Sequence, residues 1–200
     1  GMQTSPLATD EDPLTPFVGV GTLLYTDIRS IHTASTNQSP TELLSLLNRH
    51  LDFSHRVIRA HGGEVHQFVG SATIAVWRGD SDDPGHARKA FAAGKKLLTD
   101  LPPWLAQHGK ARYDIGVTLG TGEMAGEFFG PMRQFQIMGM AKAVADRLDR
   151  AAVAGKPCVR LSQFTHALLE DVSGIVEVMQ LPREGLEDLH VMVWRTQHES

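Results

Sequence analysis

His61-Gly-Gly-Glu-Val-His-Gln-Phe-Val-Gly-Ser-Ala-Thr-Ile-Ala-Val-Trp77 is the stretch that decides the fold. Gly62-Gly63 supplies a helix C-cap and a turn. Glu64–Val69 and Ala72–Trp77 then form two short apolar runs hinged at Gly70-Ser71, the pattern of a β-hairpin. Upstream, Ser39-Pro-Thr-Glu42 carries the marks of a helix start, an early proline and a glutamate three residues after the serine. Leu43, Leu44, Leu46, Leu47, Leu51, Val57 and Ile58 follow at helical spacing. Before that helix, Gly21–Asp27 is a β-rich run ending in a carboxylate.

Downstream, Asp82-Asp83-Pro84 opens a second helix carried by Ala87, Ala90, Phe91, Ala93, Leu97 and Leu98. Tyr113–Leu119 is the next β run and completes the order β-α-β-β-α-β. The expected class is α+β, a ferredoxin-like βαββαβ core with an antiparallel sheet and helices packed on one face. Additional C-terminal β and α elements extend it. Glu123–Phe129 and Gln134–Met138 read as strands, and Gly139–Ala152 as an alanine-rich helix. Pro157–Leu161 reads as a strand, and Ser162 as the cap of a short helix reaching Glu170. Val176–Leu181 and Leu189–Trp194 form a final hairpin across Arg183-Glu184-Gly185. Residues 1–16 read as a flexible N-terminal segment and residues 17–200 as one domain.

Composition narrows the function classes. The chain has 200 residues, 42% hydrophobic and 21% charged, which suits a globular domain with a real core. Nineteen Lys and Arg against 23 Asp and Glu leave a net charge of -4, without a basic block for nucleic acid. No apolar run approaches the length of a membrane span. The one cysteine, Cys158, forms no internal disulfide and fits a reducing, cytoplasmic compartment. Beside Pro157 it reads as a small buried hydrophobe. His50 and His55, like His61 and His66, are five apart, which does not place them on one helix face for zinc. Gly116, Gly120, Gly122, Gly126 and Gly130 match no phosphate-loop pattern and read as strand bends and turns. Met132, Met138 and Met140 around Phe135 read as core or interface.

Four segments together resemble the catalytic domain of class III adenylate/guanylate cyclases. They are Leu23-Leu-Tyr-Thr-Asp-Ile-Arg-Ser30, the His61–Trp77 stretch, Ile115–Gly122 running on to Gln134–Gly139 and Ala145–Leu148, and Arg183–Glu187 before Val191–Trp194. The resemblance implies that fold, and a head-to-tail homodimer with a cleft for a nucleoside triphosphate, or another small ligand, at each interface. Its chemistry joins the ribose 3′-oxygen to the α-phosphate and expels pyrophosphate. Two Mg²⁺ or Mn²⁺ ions held by two aspartates stabilise the charge.

By that resemblance Asp27 stands at the first metal position, and Ser71 replaces the second aspartate. A hydroxyl is a much weaker ligand for a hard cation than a carboxylate. A two-metal site is therefore not expected. One Mg²⁺ or Mn²⁺ on Asp27 and triphosphate oxygens is one reading of that residue; a plain strand-ending aspartate is the other. The base-selecting positions carry Gln67 and Gln136, which give no preference between adenine and guanine, and exposed polar strand positions account for both. Ala143 replaces the asparagine that orients the ribose. Four residues later on the same helix face, Arg147 retains the phosphate-stabilising arginine, or else pairs with a neighbouring aspartate. Glu184 stands where the family has a triphosphate lysine, with Arg183 adjacent.

One positioned electrostatic group is typically worth about 10²–10³ in rate. The expectation is therefore a catalytically impaired cyclase-like domain acting as a dimeric regulatory or ligand-binding module. The alternative is a divergent active cyclase making a 3′,5′-cyclic monophosphate with a single metal at Asp27. Each half of the composite site keeps one residue, Asp27 or Arg147, so a simple complementing heterodimer is disfavoured.

Overall fold

The computed structural model describes residues 15–28, 38–69, 71–80, 82–107, 115–151 and 157–196. In chain order the elements are β1 (Phe17–Ile28), α1 (Pro40–Ala60), β2 (Glu64–Val69), β3 (Ala72–Gly79), α2 (Gly85–Ala106), β4 (Ile115–Phe129), β5 (Gln134–Met138), α3 (Met140–Asp149), β6 (Val159–Leu161), α4 (Gln163–His166), β7 (Ile175–Arg183) and β8 (Leu186–Trp194). Most of the expected lead-in, residues 1–14, and Gly70 of the hairpin hinge lie outside the described residues. No described helix is long and apolar enough to cross a membrane.

The strands form one sheet in the order β2-β3-β1-β4-β6-β8-β7, with β5 added beside β4. The first four are the ferredoxin-like core, antiparallel throughout. The C-terminal additions make the sheet as a whole mixed, because β6 runs parallel to β4. Two sequence expectations need correction here. The two β runs expected on either side of Gly120 are a single strand, because β1 pairs with β4 without a break from Phe17↔Gly126 to Ile28↔Ile115. The expected helix to Glu170 is also shorter, a single turn capped by Ser162.

α1 begins where the sequence places it. Ser39 Oγ accepts from the Glu42 N–H at 3.2 Å, and Glu42 Oε1 accepts from the Ser39 N–H at 3.3 Å, a reciprocal cap of two orphan donors. It ends at Gly62, whose φ of +84° a side chain would resist. Trp77 Nε1 then donates to the His61 carbonyl at 2.9 Å and locks the helix end to β3.

α1 and α2 cover one face of the sheet. Leu24, Ile28, Ala75, Trp77, Val117, Leu119 and Leu161 meet Ile58, Leu97, Leu101 and Leu105 in the main core. The two core helices share one face, as expected, whereas α3, one of the C-terminal additions, lies on the other. Alternation along β1 sends Leu23 and Tyr25 to the opposite face, where they pack with Val76, Met124, Phe135, Ile137, Ala141 and Ala145. α3 lies so close there that a Cβ on Gly120 would sit 2.6 Å from the Ala141 carbonyl oxygen and 2.8 Å from the Ala145 Cβ. A third cluster joins Val144 and Leu148 of α3 to Cys158, Leu181, Leu189, Val191 and Val193. Cys158 is buried, as its sequence context implies.

Candidate functional site

β1 carries Asp27 to the end of the sheet, half-buried and paired in register with Gly116. It lies two residues after Tyr25, and therefore on the α3 side of the strand. β1 and β3 pair as far as Thr26↔Thr73, so the turn residue Ser71 stands at this same end, also half-buried. The sheet thus places Asp27 and Ser71 at one edge. The donors there are a carboxylate and a neutral hydroxyl, which do not fit a pair of Mg²⁺ ions. Among the described residues, no group of three or more His, Cys, Asp or Glu side chains is placed to hold a metal.

Gln67 is not an idle surface residue, contrary to the reading of an exposed strand position. It is half-buried, and its Nε2 donates to the Phe135 carbonyl of β5 at 3.0 Å. The acceptor is a carbonyl, so the amide orientation is fixed with nitrogen toward β5. This bond ties the β2–β3 hairpin to the strand that carries Gln136, one residue further on. Gln136 is half-buried and lies opposite Glu127. Beside Gln67, His66 is buried between Phe17 and Phe135, with ring centroids 6.4 and 5.0 Å away. Burial pushes its pKa down to about 4.

α3 turns Ala141, Val144, Ala145 and Leu148 inward, leaving Ala143 exposed and Arg147 half-buried on its outer side. The two aspartates that could neutralise Arg147 are taken. Asp146 accepts from Tyr25 Oη at 2.7 Å and from Lys142 Nζ at 2.8 and 3.0 Å. Asp149 accepts from Thr118 Oγ1 at 3.0 Å and faces Arg160 Nη2 at 3.4 Å. Arg147 has no ion-pair partner among the described residues. Burial, then the bond to Asp146, drives the Tyr25 hydroxyl far above the ordinary tyrosine pKa.

Glu184 is exposed in the tight β7–β8 turn. Its neighbour Arg183 folds back toward α3. Its Nε donates to the Glu187 carbonyl at 2.9 Å, and its Nη1 reaches Met140 Sδ at 3.5 Å. A cation therefore stands at the α3 N-terminus beside the acidic Glu184. Sequence reasoning noted only that Arg183 was adjacent.

Sequence reasoning missed Arg160 altogether. It is 3% exposed, and its Nη1 donates to the carbonyls of Leu148, Asp149 and Ala151 at 3.2, 3.2 and 2.7 Å. These are the orphan acceptors at the C-terminal end of α3, where a cation also complements the helix dipole. Nothing in the local sequence signals this, because β6 meets α3 only in the folded chain.

Residues 17–189 match the family described as "Adenylate and Guanylate cyclase catalytic domain". A curated relative, adenylate cyclase 1 of Rhizobium meliloti (strain 1021), is 29% identical over 133 residues, which make up 64% of this chain and 20% of that protein's length. Among solved structures, the adenylyl cyclase CyaB from P. aeruginosa has a TM-score of 0.77 at 22% identity, covering 94% of this chain and 100% of that one. The guanylyl cyclase Cya2 has a TM-score of 0.72 at 20% identity, covering 90% and 93%. These structural likenesses show a common fold.

Proposed function

This chain belongs to the adenylate and guanylate cyclase catalytic-domain family, and we propose that it is a catalytically impaired member acting as a head-to-tail dimeric regulatory or ligand-binding module. The observation that carries the reading is the pair at the sheet end: Asp27 shares its edge with Ser71 instead of a second carboxylate. A hard divalent cation bound by one carboxylate lacks the charge needed to hold a second ion against a triphosphate. Ala143 and Glu184 weaken the other half of the cleft in the same direction. Dimerisation is supported by an exposed apolar row. Val18, Ala125 and Met138 lie side by side across β1, β4 and β5, and Met140 is exposed nearby.

The test is formation of cyclic AMP and cyclic GMP from ATP and GTP, with Mg²⁺ and with Mn²⁺, alongside the oligomeric state in solution. The reading expects a dimer and negligible turnover. Robust turnover abolished by Asp27→Ala would overturn it.

One observation favours the rival, an active divergent cyclase with a single Mg²⁺ or Mn²⁺ on Asp27. Arg147 is spared by Asp146 and Asp149, and its guanidinium is left for an anion such as phosphate. That reading expects metal-dependent triphosphate binding that Arg147→Ala weakens, together with measurable product.

A further inference from the structure

Four buried polar side chains meet between α1 and the sheet, away from the positions discussed above. His50 and Ser54 are both 0% exposed and lie one helical turn apart, on the same face of α1. Thr26 and Thr73 are cross-strand partners of β1 and β3, 1% and 0% exposed. They share their strand face with Leu24 and Ala75, the side that α1 covers. The His50 ring is within hydrogen-bonding reach of the Thr26 backbone.

Ser54 Oγ, Thr26 Oγ1, Thr73 Oγ1 and at least one ring nitrogen of His50 are buried with no hydrogen-bond partner among the described residues. Native proteins seldom leave even one such group dry. The combined desolvation cost of four is a large part of the stability margin of an ordinary domain. Their neighbours on the inner face of α1, Leu46, Val57 and Ile58, are apolar. The polar set is therefore local, and it is built from small hydroxyl side chains around one imidazole.

We propose that this cluster is an internal water site, with at least one ordered water bridging His50 to the Thr26–Thr73 hydroxyl pair and to Ser54. The chemistry of the lining fits water well. A neutral imidazole offers one donor and one acceptor, and hydroxyls can act as either, so each group finds its complement in a molecule that does both. Burial pushes the His50 pKa down to about 4, which keeps the ring neutral at ordinary pH. The charged groups nearest in sequence on α1, Arg49 and Asp52, lie off the inner face that carries His50, as do the packed strand residues Glu64 and Arg78, which pair with each other. The site does not depend on the cyclase reading. It does bear on it, because Thr26 directly precedes Asp27, and the bound water would join α1 to the strand end that presents that carboxylate.

The test uses near-isosteric variants of the full chain, Thr73→Val and Thr26→Val, read by urea unfolding. A hydroxyl bonded to water loses that bond in valine, and the unfolding equilibrium constant should rise roughly five- to ten-fold for each variant. A dry hydroxyl is relieved by valine, and the constant should fall or stay level; that result overturns the proposal. A high-resolution crystal structure of the parent chain provides a readout that needs no variant to fold. Water density within hydrogen-bonding distance of His50 and a threonine hydroxyl is expected. No such density, or side chains re-paired directly with one another, would refute the proposal.

Discussion

Tyr25 Oη donates to Asp146 Oδ1 at 2.7 Å and joins β1 to α3 inside the sheet's second core. Tyr25 stands two residues before Asp27, and Asp146 one residue before Arg147. The bond therefore sets the spacing, within one chain, between Asp27 and Arg147, the two positions proposed to be retained from the family. Lys142 closes the unit by gripping both oxygens of Asp146. Tyr25→Phe keeps the ring in the core and deletes one charge-assisted bond. The expected loss is about 1.5–3 kcal/mol of stability. Urea unfolding measures it, and faster amide exchange in α3 should accompany it, while the α1–α2 core stays protected.

Gly120 makes a complementary test of how α3 is seated. Any Cβ there collides with the α3 backbone at Ala141 and with the Ala145 side chain. Gly120→Ala should lift the helix and cost about 1–3 kcal/mol, as overpacking of a tight contact does. Gly19 lies on the same strand face of the β1–β4 pair, but a Cβ there meets nothing closer than 3.9 Å. Gly19→Ala should be close to neutral. Equal thermal shifts for the two variants would refute this account of the seating.

Arg160 holds the other end of the same helix. Arg160→Met fills the space but leaves the Leu148, Asp149 and Ala151 carbonyls without their shared donor, and removes the guanidinium that faces the Asp149 carboxylate. Breaking a buried, fully bonded charge in this way costs about 3–5 kcal/mol. Chemical denaturation should show a loss of that size. Arg160→Lys should recover only part of it, because one ammonium cannot span three carbonyls and a carboxylate.

The ferredoxin-like core was legible because its signals are local. The Ser39–Glu42 cap, the Gly62-Gly63 stop and the alternation in β2 and β3 each act within a few residues, and each appears where the sequence places it. The single long β4 was not legible. Its glycines look like breaks until β1 pairs with them one by one. α3 on the second face was hidden for a related reason: Gly120 reads as a bend, whereas its purpose is to admit a helix backbone. Positions at the candidate site could be assigned from segment resemblance, but their contacts could not. The Gln67–Phe135 and Arg183–Met140 contacts join residues 68 and 43 apart in the chain, and no local pattern encodes them.

His50 and His66 make stability depend on pH in a defined window. Burial lowers both pKa values to about 4 from 6.5. Between those values the unfolded chain binds protons that the folded chain does not. Stability is therefore complete above the unfolded value, falls as the pH drops through the window, and loses nothing more from these two groups below about pH 4. A full shift of this size is worth roughly 3 kcal/mol per histidine. The melting temperature should fall steadily from pH 7 to pH 4. His66→Leu, which keeps an apolar group between Phe17 and Phe135, should flatten part of that slope; an unchanged slope would show that His66 titrates normally in the fold.

The charge deficit at the sheet end can be reversed directly. Ser71→Asp adds a second carboxylate at the edge that Asp27 occupies. Without metal the two carboxylates repel, so the variant should melt below the parent chain in chelator. With Mn²⁺ the repulsion becomes attraction to a shared cation, and melting should recover or exceed the parent value. Isothermal titration should show Mn²⁺ affinity raised at least about ten-fold over the parent, since each added anionic oxygen ligand strengthens a hard-cation site. Cyclic nucleotide formation should stay low, because Ala143 and Glu184 still leave ribose and triphosphate without their partners. It should climb only when Ala143→Asn and Glu184→Lys are added, as expected for groups that act as a unit. Metal affinity unchanged by Ser71→Asp would mean that Asp27 and Ser71 do not face a common ion, and would remove the observation on which the proposed impairment rests.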